Sequence, residues 1–253
     1  MNRIQQQLSA KNKILSIYFT AGFTKLNDTK SLIEELARNK VDVIEIGLPF
    51  SDPLADGPTI QSSSMQALQN GMTTTLLFEQ LKDIRNTVDI PLIIMGYFNP
   101  MLQFGIENFL KACRQTGIDG LIIPDLPLEI YLSDYKKLFD SYGIQMIFLI
   151  TPQTSEERIR LIDDNSNAFI YMVSSAGVTG SKDQFDENQL QYFERIARMN
   201  LKNQQLIGFG ISNKITFQQA IKYQKGAIIG SSFIQFISKN KISDIKNFIN
   251  NIL

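Results

Sequence analysis

The order of this 253-residue chain predicts an α/β fold, a single (β/α)8 or TIM barrel with a few extra short helices, spanning residues 1–253. Three observations predict it. Short apolar runs rich in β-branched residues recur along the whole length, and helix-like amphipathic segments separate them. The runs are apolar on both faces, which suits buried parallel strands and not half-exposed hairpins. No linker, low-complexity tract or composition shift divides the chain, whose length is ordinary for one barrel.

The expected strands cover residues 14–19, 43–47, 91–95, 120–123, 145–150, 168–173, 206–209 and 227–229. Ile4 and Leu8 suggest a short helix ahead of the first. Asn27 or Asp28 can cap a helix whose Leu32, Ile33 and Leu36 share one face. The stretch 61–88 is longer than one crossover needs and predicts two helices. Leu132, Tyr135, Leu138 and Phe139 mark another apolar stripe. Thr154 with Glu157 has capping-box spacing ahead of Ile159 and Ile162. Ile245, Phe248, Ile249 and Ile252 close the chain with a final amphipathic helix. On this fold a site is expected on the loops that follow the strands.

Composition narrows the chemistry. The 25 basic and 25 acidic residues cancel, the lysines are dispersed, and no basic arm points to nucleic acid. No apolar run approaches the length of a membrane span, and the start Met1-Asn2-Arg3-Ile4-Gln5-Gln6-Gln7 lacks the apolar core of a signal peptide. The single cysteine, Cys113, cannot form an internal disulfide and reads as helix packing, which fits a reducing cytoplasm. Histidine is absent, so Ser–His and Cys–His nucleophiles and histidine-containing metal sites are excluded. Acid–base work falls to Asp, Glu, Tyr or Lys.

The densest signal is the run Ile44-Glu45-Ile46-Gly47-Leu48-Pro49-Phe50-Ser51-Asp52-Pro53-Leu54-Ala55-Asp56-Gly57-Pro58. Glu45 sits inside an apolar strand, where a carboxyl is costly to bury. Asp56 ends a loop stiffened by Pro49, Pro53 and Pro58. A buried acid facing a second acid on a rigid loop separates two pKa values and assigns two roles. The plainer reading is a strand-end Glu that caps a neighbouring helix and an Asp that makes a turn. After the sixth strand, Ser174-Ser175-Ala176-Gly177-Val178-Thr179-Gly180-Ser181 has the small residues of a closing lid, or of a surface loop with no role. Gly208-Phe209-Gly210-Ile211-Ser212 and Gly230-Ser231-Ser232 follow the seventh and eighth strands, where this fold commonly cradles a phosphate on backbone N–H groups.

Taken together, the run 45–58, the Tyr171…Ser174-x-Ala176-Gly177-Val178-Thr179-Gly180 segment, Gly208-Phe209-Gly210-Ile211-Ser212, the Gly230-Ser231 turn, Asn99 after Tyr97 and Pro124-Asp125-Leu126-Pro127 resemble the tryptophan synthase α subunit family. The resemblance covers essentially the whole chain in order. It implies a TIM barrel that cleaves indole-3-glycerol phosphate to indole and glyceraldehyde 3-phosphate. It also implies an α2β2 heterotetramer with a β subunit that carries pyridoxal phosphate, and no cofactor on this chain. By the same resemblance, Glu45 takes the catalytic acid–base position, Asp56 the carboxylate facing the indole nitrogen, and Tyr171 an active-site tyrosine. Tyr18 stands at an aromatic substrate contact, and Met95 and Ile122 at apolar positions that pack the indole. Gly180, Gly210, Gly230 and Ser231, with Phe209 beside them, match the phosphate contacts, and Thr179 a lid threonine that meets Asp56 on closure. Ser175 stands where many members carry arginine, which bears on any hinge or partner role of that residue.

The implied retro-aldol reaction needs a proton delivered to indole C3, a developing indolenine cation stabilised, and a proton removed from the glycerol hydroxyl. Burial suits Glu45 to the first and last tasks by raising its pKa. A loop position nearer water, with backbone donors close by, suits an ionised Asp56 to the second. Two other readings use part of the same pattern. Another phosphosugar-handling barrel of tryptophan or histidine biosynthesis would share the phosphate loops but leave the proline-rich Asp56 loop unexplained. A non-catalytic activating subunit would have no need of Glu45 and Asp56.

Overall fold

In a computed structural model, which describes residues 2–53, 56–175 and 184–253, the apolar runs form one parallel sheet curled into a barrel. Its strands are β1 (Ile14–Thr20), β2 (Val43–Gly47), β3 (Leu92–Met95), β4 (Gly120–Ile122), β5 (Gln145–Ile147), β6 (Leu149–Ile150), β7 (Ile170–Val173), β8 (Gln205–Gly208) and β9 (Gly226–Ile229). Their order is β5-β4-β3-β2-β1-β9-β8-β7-β6, with every ladder parallel.

Nine strands appear where eight were expected because the run 145–150 breaks at Phe148. Its first half pairs with β4 and its second half with β7. The peptide through Phe148 therefore joins the two ends of the sheet, and its carbonyl still accepts the Tyr171 N–H at 2.9 Å. The break is one stave of an eight-stave barrel bent between two neighbours, not a ninth β/α unit.

Period-two alternation sorts the strand residues into two cores. Leu15, Ile17, Phe19, Ile44, Ile46, Leu92, Ile94, Ile207 and Ile229 face outward and pack with the surrounding helices. Ile14, Val43, Ile93, Ile122, Ile147, Tyr171, Leu206 and Ile228 fill the barrel itself. The second core explains why the strands read as apolar on both faces. It also places Glu45, between Val43 and Gly47, on the inside.

The helices lie where expected, with two departures at their N-terminal caps. The stretch 61–88 contains two helices, Pro58–Gln69 and Thr74–Leu81, followed by a short 3-10 turn. The helix Glu156–Asn165 is capped by Ser155, whose Oγ accepts the Arg158 N–H at 3.2 Å. Thr154, the expected cap, instead accepts the Thr151 N–H at 2.9 Å and closes the preceding turn. Asp28 stands at the start of Thr29–Arg38 without a side-chain cap bond and accepts from the Thr24 hydroxyl at 3.0 Å. The N-terminal helix Arg3–Ala10 drives Ile4 and Leu8 into the inner core and plugs the amino end of the barrel. Cys113 is fully buried. Among the described residues no helix is long and apolar enough to cross a membrane.

Candidate active site

At the opposite end, where the strands finish, the unusual side chains gather. Glu45 is fully buried. Its Oε1 accepts the Ser16 hydroxyl at 2.8 Å, two residues before its register partner Tyr18 on the neighbouring strand, while Oε2 has no hydrogen-bond partner among the described residues. Burial pushes its pKa up to about 8, with the Ser16 bond opposing only in part. A carboxyl in that state holds a proton near neutrality and can release it. The helix-cap alternative for Glu45 fails, since its bonded partner is a strand hydroxyl inside the barrel.

Asp56 lies beyond β2, just before the helix Pro58–Gln69. Its partner is not the backbone donor set that the loop suggested. The Tyr97 hydroxyl donates to Asp56 Oδ2 at 3.1 Å, and the Tyr97 ring packs on Phe50 with centroids 5.3 Å apart. Burial raises the Asp56 pKa and the Tyr97 bond lowers it. Phe50 and Asp56 are thus both tied to Tyr97, in the loop after β3. Sequence reasoning noted Tyr97 only as part of a motif; its place beside Asp56 depends on β2 and β3 being neighbours.

Two tyrosines complete the floor, and each lies over a glycine. Tyr18 on β1 pairs in register with Glu45, and its ring crosses Gly47, where an added Cβ would fall 2.1 Å from the phenol oxygen. Tyr171 on β7 repeats the arrangement over Gly208 on β8, again at 2.1 Å. Burial raises both phenol pKa values; next in size for Tyr18 is the charge of Asp56, and for Tyr171 that of Glu45. Two acids and two tyrosines therefore share one electrostatic environment. The tyrosines stay neutral in it.

A cleft of about 880 Å³, open mouth included, runs from Asp56 past Tyr18, Met95 and Tyr171 to Phe209, Gly210, Gly230 and Ser231. Met95 continues into a smaller hollow with Leu48, Phe50 and Tyr97. Ile122 does not line the cleft; it is fully buried in the inner core with Ile93 and Ile147. Gly230 faces the Tyr18 ring, which an added Cβ would meet at an ordinary contact distance of 3.4 Å. Phe209 ends its strand early because its φ is 66°, and Gly210 follows at 75°. Left-handed backbone is ordinary for glycine and strained for phenylalanine. Ser212, Ser232 and Gln235 also line the cleft, and only the first two lay within sequence motifs. Thr179 and Gly180 fall outside the described residues.

The chain also matches known proteins. The family model described as tryptophan synthase alpha chain matches residues 4–252. The tryptophan synthase alpha chain of Flavobacterium psychrophilum is 66% identical, with 100% of both chains covered. That of Flavobacterium johnsoniae is 64% identical over the same shares. Among solved structures, tryptophan synthase subunit alpha from Legionella pneumophila superposes with a TM-score of 0.88 at 31% identity, covering 100% of this chain and 97% of the other. A chain of the tryptophan synthase complex from Pyrococcus furiosus gives 0.85 at 29% identity, covering 94% and 97%. With the barrel, the buried acid and the full-length match in agreement, this chain belongs to the tryptophan synthase alpha chain family.

Proposed function

We propose that this chain cleaves indole-3-glycerol phosphate by retro-aldol chemistry, with Glu45 moving both protons and Asp56 balancing the charge on the indole nitrogen. The observation that carries the reading is Glu45, buried in the barrel with its pKa pushed up to about 8 and one oxygen without a hydrogen-bond partner among the described residues. In its neutral form Glu45 protonates indole C3, giving a cationic indolenine. The resulting carboxylate takes the proton from the hydroxyl on the adjoining glycerol carbon. The carbonyl of the aldehyde forms there, and the electrons of the broken carbon–carbon bond return to the ring. Glu45 is neutral again when indole leaves. Asp56, held by Tyr97, accepts the N1–H and offsets the cation. Every proton in this cycle is handled by side chains of the chain, so it requires no cofactor.

The indole lies against Tyr18, Met95 and Tyr171, while Gly210, Gly230 and Ser231 receive the phosphate at the far end of the cleft. Ile122 supports Met95 from the inner core without touching substrate. Binding energy from the phosphate, remote from the reacting carbon, holds the ring in register. The indole product passes to a β subunit that carries pyridoxal phosphate, in an α2β2 assembly.

The direct test is indole release from indole-3-glycerol phosphate by the purified chain. Glu45→Gln keeps shape but cannot carry the proton, so cleavage falls by roughly 10²–10⁴-fold. Asp56→Asn falls severely too, since an amide cannot balance a cation. Near-normal turnover in Glu45→Gln would overturn the assignment.

A further inference from the structure

We infer that Ser174 is a positioning residue for the phosphate end of the cleft, bracing Phe209 and Gly210 in their left-handed conformation. The inference rests on the phosphate site proposed above. Phe209 adopts a φ of 66°, a strained backbone state for a bulky residue that persists only where its surroundings enforce it. What enforces it is Ser174, at the end of β7 and 1% exposed. The Ser174 N–H donates to the Gly208 carbonyl at 3.0 Å, and its hydroxyl donates to the Phe209 carbonyl at 2.7 Å. One residue thereby holds two successive carbonyls and fixes the peptide planes on either side of the strained φ. The Gly210 N–H, which directly follows the braced carbonyl, is oriented by the same peptide plane.

Ser174 is itself held. Gln189 Nε2 donates to the Ser174 carbonyl at 3.2 Å, and Gln189 Oε1 accepts the Asp186 N–H at 3.1 Å. Gln189 is buried, on the helix Glu187–Arg198. The relay from Asp186 through Gln189 and Ser174 to Phe209 thus spans β7, β8 and the helix between them. Phe185, packed on the Phe193 ring at 5.0 Å, would meet an added Cβ at Gly210 at 3.4 Å and walls the turn from its other side. The phosphate turn is shaped from outside by residues that need not touch phosphate.

Ser174→Ala keeps the packing and removes the hydroxyl. The dissociation constant for glycerol 3-phosphate and KM for indole-3-glycerol phosphate should each rise about tenfold, with kcat within a factor of two and Tm little changed. A residue that served stability alone would lower Tm and leave that KM-against-kcat split unmoved. The double-mutant cycle with Phe209→Gly isolates the brace. Glycine needs no enforcement at a positive φ, so Ser174→Ala should cost at most twofold in that background. Equal losses in both backgrounds would overturn the inference, as would an unchanged KM in Ser174→Ala. If Ser174→Ala fails to fold, Ser174→Cys, similar in size with a weak donor, carries the same expectation and the same refutation. Gly230→Asp separates the two readings. If it leaves glycerol 3-phosphate binding intact, the phosphate site itself is misplaced. If it abolishes binding while Ser174→Ala does nothing, only the brace is wrong.

Discussion

Glu45 sets a cost and a capability with the same burial. Its ordinary pKa of 4.5 becomes about 8 in the folded chain, because the barrel interior disfavours the carboxylate. Below pH 4.5 folded and unfolded chains both hold the proton, and the site carries no penalty. As pH rises from there to about 8, the unfolded chain ionises first, so folding stability declines through this window and levels off above it. Glu45→Gln abolishes that titration. Urea unfolding should therefore show the variant matching the parent at pH 4.5 and exceeding it increasingly up to pH 8; a constant offset would mean that Glu45 is not the buried acid described. Cleavage has its own pH dependence. The neutral acid is the proton donor, so kcat/KM should fall above about pH 8. Its acid limb should lie above the usual carboxylate range, because burial also raises the Asp56 carboxyl. None of this needed a histidine, and the chain has none.

One scale up, strand register decides which of these side chains can meet. Thr20 pairs with Gly47 and Val173 with Gly208, so Tyr18 and Tyr171 each stand two residues behind a glycine on the next strand and lean across it. Gly208→Ala would put a methyl group 2.1 Å from the Tyr171 oxygen, which must move out of the floor. We expect about 1–3 kcal/mol lost in stability and at least a tenfold loss of cleavage; unchanged turnover would show that Tyr171 plays no part. The strands and helices were largely legible in the sequence because periodicity and composition are local signals. Glu45 was legible as well, being an acid in an apolar strand. What escaped was set by neighbours remote in the chain. The break at Phe148 arises because one strand must pair with β4 and β7 at different heights. Tyr97 reaches Asp56 only once β2 and β3 lie side by side, and Ser174 reaches Phe209 only once β7 and β8 have paired. Ile122, placed at the indole by the family resemblance, is fully buried in the inner core and is not among the residues that line the cleft.

Across the whole molecule the two ends of the barrel divide the work, as this fold commonly does. At the amino end Asp119 accepts the Leu92 N–H at 2.9 Å and the Arg85 guanidinium at 2.6 Å, and pairs with Arg3 of the plugging helix. Arg85 also donates to the carbonyls of Gly117, Val88 and Ile90. Arg85→Met strands these groups and should cost about 3 kcal/mol of stability in urea unfolding while the folded fraction cleaves normally. The carboxyl end carries the cleft. Indole is apolar and crosses membranes, so handing it directly to a β subunit prevents its loss. Leu54 and Ala55 lie outside the described residues, but other apolar side chains are exposed on helices of this side of the barrel. Met65, Leu102 and Ile130 are 49%, 49% and 42% exposed, on helices that follow β2, β3 and β4, three adjacent staves. Phe50 packs on Tyr97, and Tyr97 bonds Asp56, so pressure on this side of the barrel reaches a group in the site. A β subunit docked here should raise the weak cleavage of the isolated chain by an order of magnitude or more, a coupling of about 1–3 kcal/mol. Leu102→Glu should leave the isolated rate unchanged and weaken that gain. Steady-state indole production against increasing β subunit, with gel filtration of the mixture, decides the matter. An unchanged rate and no co-elution with a cognate β subunit would show that this chain acts alone.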